Sequence, residues 1–290
     1  MFTGALVAIV TPFRNGKVDE RAFGDLIEWQ LANGTSGIVP CGTTGESATL
    51  SHQEHHRVIE LAVEIVSRRV PVIAGTGSNS TEEAVSLTKH AKQAGADGAL
   101  IITPYYNKPT QEGLYRHYKM IAESVDLPQV LYNIPGRTGV NMLPSTVARL
   151  CGVPNIVGIK EGSGSVQQAS EIASICGDRM TVLAGDDALT LPMMAVGGKG
   201  VISVTSNIAP SEMAQLVKAF LERRIDDARR IHFKLSPLFS ALFYETNPIP
   251  VKTALGMMGK IDPELRLPLC AMATETKDQL TRVLKDSGLI

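Results

Sequence analysis

The amino-acid sequence predicts an α/β fold, a closed (β/α)8 TIM barrel with a C-terminal helical appendage. Two observations carry that expectation. Eight short apolar runs alternate with amphipathic stretches up to residue 223, and none shows the apolar–polar alternation of a half-exposed strand. Beyond residue 223 the strand pattern stops and only helical periodicity remains. The length, 290 residues, suits one such barrel with a short addition. The expected division is a barrel over residues 1–223 and a helical region over 224–290.

The elements follow in order. Residues 5–10 read as a buried strand closed by Thr11-Pro12, and Asp19 opens a helix through Leu26, Ile27 and Leu31 that stops at Asn33-Gly34. Residues 37–40 form the second strand, and 51–66 its helix, opened by the capping box Ser51-x-x-Glu54. The third strand is 70–74, after which a second capping box, Ser80-x-x-Glu83, starts a helix ending at Ala94-Gly95. Residues 98–102 and 129–132 are strands four and five, each followed by a helix, 111–124 and one from Pro144. The sixth strand runs from Ile156 to Lys160, and Ser165-x-x-Gln168 caps the helix after it. Strands seven and eight are 181–184 and 200–203, with helices at 188–195 and 211–221. The tail contributes helices at 226–243, 248–258 and 274–285. A doubly wound open sheet is the competing architecture, but the first strand lacks the Gly-x-Gly-x-x-Gly turn of a nucleotide-binding unit.

Composition narrows the class of function. A formal net charge of −1, with both signs spread evenly, leaves no basic stripe for nucleic acid and no polybasic membrane patch. No apolar run is long enough to span a bilayer, and the start Met1-Phe2-Thr3-Gly4 lacks the pattern of a secretory leader. Cys41, Cys151, Cys176 and Cys270 are far apart and read as free thiols, so a cytoplasmic protein acting on small molecules is expected.

Reactive groups in such barrels lie at the C-terminal ends of the strands and in the loops after them. The sixth of those ends stands out, because Ile156-Val157-Gly158-Ile159 leads directly into Lys160, Glu161 and Gly162. An ordinary lysine pKa of ~10.4 leaves about one amine in a thousand neutral at pH 7, and desolvation at an apolar barrel mouth raises that fraction enough to make a nucleophile. The alternative is a lysine paired with a carboxylate at the end of the sheet. Tyr132 ends the neighbouring strand, at a similar height, where a phenol can move the protons of imine formation. Gly42-Thr43-Thr44-Gly45 follows strand two, Tyr105-Tyr106 follows strand four, and Arg137 lies in the loop after Tyr132 with no fixed partner there. Its planar guanidinium suits a carboxylate.

The Gly-flanked threonine pair, Tyr132 with Arg137 five residues on, and Gly158-Ile159-Lys160-Glu161 together resemble the Schiff-base pyruvate lyase and aldolase family over essentially the whole chain. The likeness is greatest to members that condense pyruvate with L-aspartate 4-semialdehyde in the diaminopimelate route to L-lysine. The resemblance implies that Lys160 forms an imine with pyruvate, that Tyr132 donates and accepts protons, and that Thr43 links Tyr132 to Tyr106 in a relay. It also implies pyruvate contacts at Thr44 and the backbone of Ile202, and a carboxylate clamp at Arg137. Seven positions, Ser47, Ala48, His52, His55, Asn79, Glu83 and Tyr105, match members inhibited by L-lysine. In the family the residue at Tyr106 reaches into a neighbouring subunit's site, so a homotetramer built from two dimers is expected. No cofactor and no metal is implied, since a protonated imine is itself the electron sink. Another pyruvate-dependent aldolase and a non-catalytic keto-acid-binding protein remain alternatives, the latter having no need of Lys160, Tyr132 and Tyr106 together.

Three further signals are set aside. Gly75-Thr76-Gly77-Ser78-Asn79 lacks the lysine of a phosphate loop, and Asp186 and Asp187 would repel a phosphate after strand seven. His52, His55 and His56 have no strand-end histidine to complete a zinc site.

Overall fold

The computed structural model describes residues 2–290; Met1 lies outside them. Eight strands form one sheet: β1 (Gly4–Ala8), β2 (Gly37–Val39), β3 (Ile73–Gly75), β4 (Gly98–Ile102), β5 (Gln129–Asn133), β6 (Ile156–Glu161), β7 (Thr181–Ala184) and β8 (Gly200–Ser203). The spatial order is β2-β1-β8-β7-β6-β5-β4-β3, every pairing is parallel, and a bridge between Ile38 and Val72 closes the ring. The expected (β/α)8 barrel is the fold observed.

Both faces of each strand are apolar because each meets a different core. Leu6, Val39, Ile73, Leu100, Val130, Leu183 and Ile202 fill the barrel, whereas Val7, Ile38, Ile101, Leu131, Ile159 and Val182 face the helices. That is why the strands show no apolar–polar alternation. The outer layer is α1 (Glu20–Ala32), α2 (His52–Val66), α3 (Thr81–Ala94), α4 (Gln111–Ser124), α5 (Pro144–Leu150), α6 (Val166–Cys176), α7 (Thr190–Ala195) and α8 (Pro210–Leu221).

Several expected boundaries move for local reasons. The first strand ends at Ala8 because the amide of Val10 is taken by the Asn207 side chain, 3.1 Å away. The third starts at Ile73, since Pro71 has no N–H and the Val72 amide is held by the Asp97 carboxylate at 2.8 Å. A two-stranded hairpin, Phe13–Arg14 with Lys17–Val18, was not anticipated, although its turn is Asn15-Gly16, both at positive φ. A short helical turn at Pro135–Thr138 was also unanticipated.

The capping box at Ser51 and Glu54 is complete. The second is half formed. Ser80 Oγ accepts the Glu83 amide at 3.4 Å, but the Glu83 carboxylate turns away to His52 and Ser78. The Ser80 amide is satisfied by Ser78 Oγ instead.

The tail holds α9 (Ile225–Ala241), α10 (Ile249–Met257) and α11 (Thr274–Asp286), and its Leu235, Leu280 and Leu284 belong to the same core as the barrel's outer layer. It also reaches the barrel mouth. Lys252 of α10, fully buried, donates to Glu46 Oε1 at 2.6 Å and to the Thr11 carbonyl at 3.0 Å, and Arg266 pairs with Glu54 at 2.5 Å. Phe13 of the hairpin lies under both cations, each about 4.2 Å from its ring centroid.

Candidate active site

Tyr132 and Lys160 are register partners at the ends of β5 and β6 and point into the barrel. The Lys160 ammonium nitrogen lies 4.4 Å from the centre of the Tyr132 ring. Burial lowers the Lys160 pKa to about 8; the negative charge of Asp187 opposes this and the positive charge of Arg137 adds to it. At pH 7 about one amine in ten is then neutral, against no more than about one in a thousand for a free lysine. Burial pushes the Tyr132 phenol up to about 12, with Arg137 and a hydrogen bond to Thr43 pulling partly back. The phenol therefore keeps its proton at neutral pH and can give it to a carbinolamine oxygen.

The loop after β2 supplies the hydroxyls. Thr43 and Thr44 both line the recess that holds Lys160 and Tyr132. Glu46, φ 51°, ends this turn, and its ion pair with Lys252 fixes the loop from below. Thr44 is buried and accepts from Asn247 Nδ2 at 3.0 Å. Arg137 finds its partner outside its own loop. Its Nη2 donates to the Asn247 carbonyl at 3.0 Å, so the tail aims it over the mouth.

Ile202 is buried in the barrel interior beside its register partner Leu6, away from the recess lined by Thr43, Thr44 and Lys160. Tyr106 is not brought to the others. It is 90% exposed, at φ 71° in the loop after β4, so the Thr43–Tyr132–Tyr106 relay is not assembled within one chain.

A cavity of about 450 Å³ runs from Thr43, Tyr132 and Arg137 to a cleft between the starts of α2 and α3. Six of the seven expected effector residues, Ser47, Ala48, His52, His55, Glu83 and Tyr105, line it. Asn79 does not, and its carbonyl accepts from Asn107 Nδ2 at 2.9 Å. His52 Nε2 meets Glu83 at 2.9 Å across the cleft. His55 Nε2 donates to the Gly75 carbonyl at 2.8 Å, and its Nδ1 is buried without a partner. Burial lowers the His55 pKa to about 4, so the ring is neutral. His56 stacks on His90 at 3.7 Å, so the three histidines of α2 point to separate partners.

Asn247, Glu46, Lys252 and Asp187 are the site residues that sequence reasoning missed or gave another role. Asn247 and Lys252 had no local signal, since the tail reads only as helices, whereas Glu46 stands in the loop after the second strand and lacked only a visible partner. Asp187 sits at a strand end and was open to notice.

The profile of the dihydrodipicolinate synthetase family matches residues 1–287. The chain belongs to that family. It is 64% identical over 291 aligned residues, 100% of both chains, to the 4-hydroxy-tetrahydrodipicolinate synthase of Syntrophobacter fumaroxidans. Its fold superposes with a TM-score of 0.98 on the chloride-inhibited dihydrodipicolinate synthase of Acinetobacter baumannii complexed with pyruvate, 48% identical with 100% of each chain covered. The corresponding enzyme of Cyanidioschyzon merolae, solved with lysine bound, gives a TM-score of 0.96 at 41% identity, covering 100% of this chain and 99% of that one. Among the described residues, no helix is long and apolar enough to cross a membrane.

Proposed function

We propose that the chain is a lyase that condenses pyruvate with L-aspartate 4-semialdehyde to 4-hydroxy-tetrahydrodipicolinate, in the diaminopimelate route to L-lysine. The observation that carries this reading is the buried Lys160, its pKa depressed to about 8, against a protonated Tyr132 at the mouth of the barrel. The neutral Lys160 amine adds to the pyruvate keto carbon, Tyr132 protonates the departing hydroxyl, and water leaves with formation of the iminium. Loss of a methyl proton gives the enamine, whose methylene carbon attacks the aldehyde, and the aldehyde oxygen takes up a proton. The substrate's own amine then displaces Lys160 as the ring closes. Thr44 and the Ile202 backbone hold pyruvate in this reading, and Arg137 holds the second substrate's carboxylate.

Tyr106 completes the relay in a neighbouring subunit of a homotetramer, a role consistent with its exposure on a single chain. The enzyme works in the cytoplasm, where its three buried cysteines and exposed Cys270 stay reduced. The test is product formation from the two substrates by purified protein, with borohydride trapping of the pyruvate adduct. An adduct on Lys160 and a cyclic product are expected; an adduct elsewhere, or none, sinks the reading.

L-Lysine is the inhibitor, bound in the cleft between α2 and α3. Glu83 is suited to its ammonium, having left its capping role, and Ser78 and His52 hold its pKa below the usual range. The unpartnered His55 Nδ1 is a free acceptor in the same wall. Because the cleft opens into the catalytic cavity, occupancy reaches Tyr105 and the loop of Tyr106 directly. Lysine is expected to inhibit about 5- to 150-fold, a coupling of ~1 to 3 kcal/mol, and Glu83→Ala to abolish it. Full activity at millimolar lysine, with no heat of binding, would remove this part.

A further inference from the structure

The loop after β7 holds a buried carboxylate that no step above uses. Asp187 is 2% exposed, and its Oδ2 accepts from the amides of Val204 and Thr205 at 3.0 and 2.8 Å and from the Thr205 hydroxyl at 2.8 Å. Its Oδ1 is also buried and has no hydrogen-bond partner among the described residues. A carboxylate satisfied on one oxygen alone is unfavourable in an interior unless a cation lies near.

The topology supplies that cation. Lys160 of β6 is the register partner of Leu183 on β7, and Asp187 follows four residues later at the barrel mouth. Few charges act on Lys160. Arg137 faces it from the loop after β5, Asp187 from the loop after β7, and the Tyr132 ring lies beside it. Glu161, next in sequence, turns to the other side of β6, where Asn133, Gln168 and the Ser163 amide hold it. Asp186, beside Asp187, accepts from the Ala188 amide. No direct ion pair joins Lys160 and Asp187 among the described residues, so the amine is free to meet a carbonyl.

We propose that Asp187 is the counter-ion of the Lys160 nitrogen, a positioning residue that stabilises the positively charged imine at some loss of free-amine reactivity. The proposal rests on Lys160 being the imine-forming nucleophile. One fixed negative charge favours both cations that this nitrogen passes through, the ammonium before reaction and the iminium after it. In the free enzyme Asp187 already holds the Lys160 pKa up against burial and Arg137. Burial keeps the Asp187 carboxyl above its usual range, while the Thr205 amide and hydroxyl pull it back.

Removing the charge should therefore act on the two steps in opposite directions. Asp187→Asn is nearly isosteric: its amide oxygen can keep all three donors, and its NH2 replaces the oxygen that has none. The readouts are the pH dependence of kcat/KM for pyruvate, the pyruvate concentration for half-maximal borohydride trapping, and thermal melting. The acid limb, near pH 8 in the wild type, is expected to move down by about one unit. Half-maximal trapping, measured above about pH 9 where the amine starts neutral, should need about tenfold more pyruvate. Asp186→Asn should shift neither. If Asp187→Asn does not fold, Asp187→Ser takes its place with the same expectation. An acid limb unmoved or raised in a folded variant overturns the proposal, and so does failure of both variants to fold, which would make Asp187 a structural staple. A wild-type protein that traps no imine on Lys160 would overturn the nucleophile reading itself, an outcome distinct from an unmoved limb.

Discussion

Replacing Lys160 with alanine is expected to lower the condensation rate by about 10⁴-fold or more and to abolish the borohydride-trapped pyruvate adduct. No neighbouring group can take over. Arg137, at the same mouth, is bonded through its guanidinium to the Asn247 carbonyl. Lys252 is fully buried and committed to Glu46 and the Thr11 carbonyl. Two effects on folding oppose each other: the substitution removes an ammonium that burial disfavours, and it leaves the buried Asp187 carboxylate without its nearby cation. In the wild-type protein the rate should rise with pH through about 8, as the neutral fraction of the amine grows. A folded Lys160→Ala protein with more than about a hundredth of wild-type activity would exclude Lys160 as the nucleophile.

Replacing Lys252 with alanine is expected to cost about 3 to 5 kcal/mol of stability, since it strands the Glu46 carboxylate in a fully buried position. For a chain of this size that corresponds to a fall in melting temperature of roughly 6 to 10 °C. The Arg266 amide, 3.2 Å from the other Glu46 oxygen, compensates only in part. Activity should fall too, because Glu46 closes the turn that carries Thr43 and Thr44. The double variant Glu46→Gln, Lys252→Met removes both charges and should recover much of the stability, because an uncompensated charge and not lost packing is what destabilises the single variant. Denaturant unfolding of the three variants measures this. Equal losses in Lys252→Ala and the double variant would show that the ion pair is not what holds the tail to the loop.

Much of the catalytic arrangement follows from local sequence. Apolar runs of four to six residues separated by capped helices specify parallel strands buried on both faces. Once the strands are counted, Tyr132 and Lys160 must end neighbouring strands at similar height, because each βα unit advances the chain by one strand. The Asn15-Gly16 turn was equally local and could have been read from its two residues.

Tertiary structure alone decided the rest. Asn247 meets Arg137 across 110 positions and Thr44 across 203, and Lys252 meets Glu46 across 206. No periodicity or capping motif encodes such contacts, because they arise when α10 docks on the barrel mouth. Glu83 shows the same limit from the other side: the capping motif at Ser80 offered its carboxylate one local partner, but Ser78 of the preceding loop and, through packing of α2 against α3, His52 hold it instead. The exposure of Tyr106 and the cavity joining the cleft between α2 and α3 to Tyr132 likewise depend on how loops from separate strands come together. Patterns within one or two turns of the chain determined the barrel and its reactive pair, whereas long-range packing determined what holds, orients and surrounds that pair.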